Sequence, residues 1–370
     1  MRIKVNPNTL FISLGFFFLF AGFSGAQQYI VPLFKLEGQQ NLALISLLIL
    51  YITFLFSNFI VSKAIFRLGL KPSLVLGAMS YGIYIISAFS RNPLILYPAS
   101  ILIGFGASLL WISSGQIIVR SSKKETIGTD LGLQQSFFSA GALFGVGIGA
   151  LFLEILPPSI LYIIFAILVF LSIPFFLKLK IEEEKVANKT IDFSFLLRRE
   201  SYLIFPIVVG SYYLSGLGFS AINLIALTFG LGFVGFLSTT SRVGVIFGGV
   251  LSGKLADNFN KRILLYLLVL TGLLSSLLLI NSFGTLTITL GAIFLSLSHP
   301  AVYTLCLSLL EEKVEKEDYT NMAGVFFIYA NIGIVGALLS SIYLEPRSSF
   351  IPGIVLLILA LPAIHIFSKR

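Results

Sequence analysis

Apolar runs long enough to cross a hydrocarbon core, about 20 residues each, recur along the chain and are separated by short polar stretches. They fall at 9–34, 42–63, 72–90, 94–119, 130–153 and 157–178, and again at 202–226, 231–253, 262–282, 284–309, 319–343 and 349–368. In lipid every backbone N–H and C=O must be satisfied inside the spanning structure, and nothing here shows the ten-residue alternation of an outer-membrane barrel, so each run predicts a helix. The boundary between the seventh and eighth spans rests only on Thr228, Gly230 and Gly232. The first run is too long for a signal-peptide core and lacks a small-residue cleavage site, so it reads as a true span. The charged stretch IEEEKVANKT cannot enter a membrane. It predicts a six-helix bundle at 1–179, a cytoplasmic linker at 180–200 and a second six-helix bundle at 201–370.

Composition agrees with the pattern. Hydrophobic residues make up 57% of the 370 and charged ones 11%, where a soluble domain carries roughly a quarter charged. The net charge of +9 does not point to nucleic acid, because the basic residues sort by loop. With the amino terminus inside, 21 of the 25 Lys and Arg lie in inner segments. Only Lys35, Arg91 and Arg347 lie outside, and Arg242 lies within a span. That asymmetry places both termini on the cytoplasmic side and suits a plasma-membrane protein.

Several chemistries have no residues to carry them. The single cysteine, Cys306, has no disulfide partner. His299 and His365 have no Cys, Asp or Glu at ligand spacing, so no metal is expected. There is no nucleophile–base–acid set and no G-x-x-x-x-G-K-S/T loop. Neither an enzyme, a cofactor nor an ATP-driven pump is expected.

One loop occurs twice. Ser62-Lys-Ala-Ile-Phe66-Arg67-Leu-Gly69-Leu-Lys71 follows span two, and Gly253-Lys-Leu-Ala-Asp257-Asn-Phe-Asn-Lys261-Arg262 follows span eight. The second copy resembles the G-x-L-a-D-r-x-G-r-k signature of the major facilitator superfamily, which implies twelve helices in two pseudo-symmetric six-helix bundles. The resemblance gives the copies a gating role. Gly253 would admit close helix approach, Asp257 would latch onto the amino end of span five near Asp130, and Lys261 and Arg262 would face cytosol and headgroups. In the first copy, with Arg67 and Gly69, Phe66 stands in place of the acid, so the two halves should be unequal.

A narrower resemblance covers about the first 120 residues. Phe20-Ala-Gly-Phe-Ser-Gly-Ala-Gln27-Gln28, Leu50-Tyr51 to Ser57-Asn58, and above all Leu96 to Trp111 are similar to the Unc-ninety-three-like branch. Gly115 is followed here by Gln116 and Ile117, without that branch's tyrosine. Some animal members are partners of channels or receptors, which keeps a scaffold binding another membrane protein beside a transporter as a reading.

Candidate binding residues follow from depth. Arg242 lies 11 residues from each end of span eight, where a charge is costly unless paired or hydrated. Its planar fork suits a carboxylate or phosphate, and the other reading is a structural arginine bonding carbonyls, amides or hydroxyls. None of the 16 acids lies at mid-depth, which disfavours proton coupling through a carboxylate. His299 is the mid-span group titrating near neutrality, and a packing histidine is its plainer reading. Gln27, Gln28, Trp111, Gln116, Tyr213, Asn223 and Asn331 complete the set, each with helix bridging as its alternative. Spans one, four, seven and ten line the cavity in facilitators generally. Gly141, Gly145, Gly147 and Gly149, with Gly244, Gly248, Gly249 and Gly253, would let spans five and eight approach across the interface between halves. The function expected is alternating-access transport of a small organic solute, anions included.

Overall fold

A computed structural model of the chain describes residues 6–122, 127–153, 155–181, 193–313 and 319–367; the side chains of 248–258, 299–301 and 307–323 are among those outside the described set. The described secondary structure is helical. It runs α1 (Pro7–Leu36), α2 (Gln40–Leu68), α3 (Leu70–Ser90), α4 (Pro93–Ser121), α5 (Ile127–Phe152), α6 (Pro158–Phe170) and α7 (Ile173–Leu177). Then come α8 (Arg199–Leu217), α9 (Ala221–Leu227), α10 (Leu231–Asn258), α11 (Lys261–Ile280), α12 (Thr285–Lys313), α13 (Tyr319–Tyr343) and α14 (Ile351–Phe367). Among the described residues ten helical stretches are long and apolar enough to cross a membrane, and Leu231–Phe247 and Thr285–Ser298 are shorter apolar pieces.

Local chemistry explains the ends. Asn6, Asn92 and Asn260 cap α1, α4 and α11, their side chains accepting from the N–H two residues on at 2.9–3.0 Å; each satisfies an amide that the helix itself cannot. Gly69 and Gly230 turn the chain at φ +88° and +101°, a region costly for any residue with a Cβ. The sixth span is two helices because Pro174 has no N–H for the carbonyl of Phe170, where α6 stops. The seventh is broken at Gly218–Ser220, in a run of Gly and Ser that weakens a helix locally. The eighth runs five residues past its predicted end, so Gly253 and Asp257 lie on helix rather than loop.

The chain forms two compact units, Met1–Thr190 and Ile191–Arg370, and one packing plan serves both. In the first, α1 lies along α5, α4 sits between α2 and α3, and α6 rests on α1 and α3. In the second, α8 lies along α13, α12 sits between α10 and α11, and α14 rests on α8 and α11. Small residues set the closest approaches. A Cβ at Gly145 would fall 1.8 Å from the Ala21 carbonyl oxygen, and one at Gly141 2.2 Å from that of Phe17. A Cβ at Gly333 would fall 2.5 Å from the Val209 carbonyl oxygen. Bare backbone at such points lets helices pack by dispersion where lipid offers no hydrophobic drive.

This corrects one expectation. Gly141, Gly145 and Gly149 recur every fourth residue and all face α1, the last meeting the Tyr29 ring, so these three are spent inside their own unit, whereas a Cβ at Gly147 would meet nothing within 4 Å. Gly244 likewise meets Ser296 of α12. Gly248, Gly249 and Gly253 lie on α10, and what they pack against is outside the described set.

Candidate functional site

In the first unit Gln27 and Trp111 are held by neighbours. Gln27 is buried, and its Nε2 donates to the Tyr51 hydroxyl of α2 at 2.7 Å. Gln28 is buried beside it. Trp111 closes an aromatic cluster, its ring 5.2 Å from Phe16, 5.5 Å from Phe20 and 5.5 Å from Phe138. Edge-on pairs like these add a little beyond the area they bury. On the same helix the Gln116 side-chain oxygen Oε1 and the Ser113 hydroxyl are buried with no hydrogen-bond partner among the described residues. Gln134 of α5, which sequence reading passed over, donates to the Ser114 hydroxyl at 3.0 Å. Its place near a span end gave no signal of depth.

In the second unit two candidates act as ties. The Tyr213 hydroxyl donates to the Ser349 carbonyl at 2.7 Å, joining α8 to the start of α14. The Asn331 amide donates to the Phe327 carbonyl one turn earlier at 2.9 Å. Asn223 is buried in α9, just past the break in the seventh span. His299 lies on α12, its side chain outside the described set.

Arg242 belongs to α10. It stands 11 residues into α10, about 16 Å along the axis, and is partly buried. At about 100° per residue it lies some 120° round the helix from Phe236, Val243 and Phe247, which are 54%, 37% and 60% exposed. Gly244, facing α12, lies about 160° away. The arginine is therefore turned from the most exposed side of α10. One turn before it, on nearly the same face, Ser238 is buried with its hydroxyl unpartnered among the described residues. A buried hydroxyl without a partner costs about 1–3 kcal/mol.

The gating residues divide. Arg67 is exposed on the last turn of α2, and Gly69 supplies the left-handed turn that ends it. The Lys71 ammonium donates to the Leu179 carbonyl at 3.2 Å, holding the start of α3 to the exit of the sixth span. In the second copy Arg262 contacts Nδ1 of His365, which holds the start of α11 to the end of α14. The expectation that Arg262 only faces solvent and headgroups is thus amended, and His365 gains a partner. Lys261 opens the same helix. The Asp257 side chain lies outside the described set.

A family description for the Major Facilitator Superfamily matches residues 9–338. The chain belongs to the Major Facilitator Superfamily. It is accordingly an integral membrane protein of a superfamily of transporters rather than enzymes. Similar curated proteins include UNC93-like protein 3 of Arabidopsis thaliana, 29% identical over 135 residues, which are 36% of this chain and 26% of that one. UNC93-like protein MFSD11 of Xenopus laevis is 28% identical over 141 residues, 37% and 32% of the two chains. Protein unc-93 homolog A of Bos taurus is 32% identical over 130 residues, 34% and 28%. The match thus spans about a quarter to a third of each relative's length. Among solved structures, the nucleoside transporter NupG superposes with a TM-score of 0.74 at 13% identity, covering 98% of this chain and all of that one. A D-xylose–proton symporter gives 0.72 at 13%, covering 98% and 97%. At such identities the likeness is one of major-facilitator fold.

Proposed function

We propose that this facilitator is a secondary or facilitative transporter that moves a small organic solute, anions included, by alternating access, with Arg242 as the anchor. The observation that carries the reading is the pairing on one face of α10 of a partly buried mid-span guanidinium with a buried, unpartnered hydroxyl at Ser238. A carboxylate or phosphate would take the planar fork bidentately and accept from the hydroxyl, offsetting the cost of the buried Ser238 hydroxyl. Gln27, Gln28, Trp111, Gln116, Tyr213, Asn223, His299 and Asn331 are the further contacts proposed from the sequence. Both termini are cytoplasmic in this proposal, and the membrane is the plasma membrane.

Uptake into proteoliposomes of matched carboxylate and neutral solutes tests it. Arg242→Ala should abolish carboxylate uptake in a protein that keeps its melting temperature, and Arg242→Lys should keep a fraction of it. Equal uptake by Arg242→Ala and the parent chain removes Arg242 from the site.

A non-transporting scaffold for another membrane protein is the second reading. It is favoured by Gln27, Tyr213 and Asn331, which spend hydrogen bonds within their own units. A stable co-purifying membrane partner, with no uptake of any solute class, would decide for it.

A further inference from the structure

The first copy of the repeated loop has lost the acid of the second and gained an exposed ring, and its surroundings suit a different job. Phe56, Ile60, Lys63 and Arg67 stand at i, i+4, i+7 and i+11 along α2, one face of the helix. The first two are 62% and 57% exposed, and Lys63 and Arg67 are exposed as well. The opposite row, Ser57, Val61 and Ile65, is buried. The outer stripe is therefore exposed along its apolar part and ends in two cations one helical turn apart, about 6 Å between their Cβ atoms. Phe66 flanks them, 48% exposed.

Charge sets the occupant. No Asp or Glu occurs between Glu37 and Glu125 in the sequence, and among the described residues no carboxylate pairs with Lys63 or Arg67. Lys71, the third cation of the loop, is drawn to the Leu179 carbonyl and is not part of the pair. Where the second copy carries Asp257, which would neutralise one such charge, this copy carries Phe66. We infer that the carboxyl end of α2 is a binding surface for one anionic phospholipid of the adjoining leaflet. Lys63 and Arg67 share its phosphate, and Phe66, Ile60 and Phe56 lie against its acyl chains. Long basic side chains at a helix end reach the headgroup level in this way. A plain solvated basic turn would leave Phe66 and the apolar stripe indifferent to headgroup charge.

Native mass spectrometry of the purified, delipidated full chain with added phosphatidylglycerol or phosphatidylethanolamine tests this. The parent chain should retain one phosphatidylglycerol in preference to phosphatidylethanolamine. The double variant Lys63→Gln, Arg67→Gln should bind phosphatidylglycerol about thirtyfold more weakly, and Phe66→Asp should weaken it too. Lys71→Gln should leave lipid retention unchanged. Size-exclusion profiles and melting curves check that each variant is folded; all the altered groups except Lys71 are surface-exposed. Equal retention of the two lipids by the parent chain, or unchanged retention by the double variant, overturns the inference. So does displacement of the lipid by an equal concentration of inorganic phosphate, which would make the pair a general anion site.

Discussion

The two units share a packing plan and differ in what they bury. In the first, α1 runs unbroken for 30 residues, and two of its polar groups close on neighbours: Gln27 on Tyr51, and the Tyr29 hydroxyl on the Val146 carbonyl of α5 at 2.8 Å. In the second, the span in the same place is broken at Gly218–Ser220. The break is held by hydroxyls, with Ser220 donating to the Gly216 carbonyl and Ser341 to Ser220, each at 2.9 Å. That unit also holds the mid-span charge Arg242. One copy of the architecture ties its first helix to its neighbours, and the other holds a mid-span charge and an interrupted helix. The same division marks the repeated loop, where one copy has a ring among cations and the other a carboxylate.

Four experiments would break or sharpen that contrast. The largest effect is expected from comparing Arg242→Ala with Gln27→Ala in uptake assays: loss of about a hundredfold or more in the first, and a few-fold at most in the second, whose amide serves Tyr51. Comparable losses would erase the distinction between units.

Next come the helix contacts. Gly145→Val and Gly333→Val each force a side chain onto facing backbone and should cost about 1–3 kcal/mol, read as lowered melting temperatures. Gly145→Val should be the worse, because its approach is closer. Smaller again, Tyr29→Phe and Tyr213→Phe each remove one interhelical hydrogen bond and should cost about 1 kcal/mol. A much larger loss of uptake than of stability in Tyr213→Phe would move that residue from tie to contact. The smallest effect belongs to Arg262 and His365, which meet at an exposed rim. A double-mutant cycle should find a coupling below about 1 kcal/mol, against a similar loss in melting for Lys71→Gln.

Much of this fold was legible in the chain because lipid allows so few solutions. The twelve apolar runs coincide with helical stretches to within a few residues, and the scant Thr228–Gly232 signal marked a real turn. What escaped was whatever depends on a partner. Periodicity showed that Gly141, Gly145 and Gly149 share a face, but which helix that face meets is a tertiary fact, and it is α1. The break in the sixth span could have been read from Pro174; hydropathy averaged over it. For the candidate site, depth picked out Arg242 without aid. Composition could not tell Tyr213, whose hydroxyl partner lies 136 residues away, from a residue lining a cavity.

The clasp between Asn8 and Lys180 has a consequence in time rather than space. The Asn8 amide donates to the Lys180 carbonyl at 2.8 Å and its oxygen accepts from the Lys180 N–H at 3.1 Å, across 172 residues of chain. During synthesis this knot cannot be tied until the sixth span has left the ribosome. From then on the first unit can finish folding while the second is still being translated.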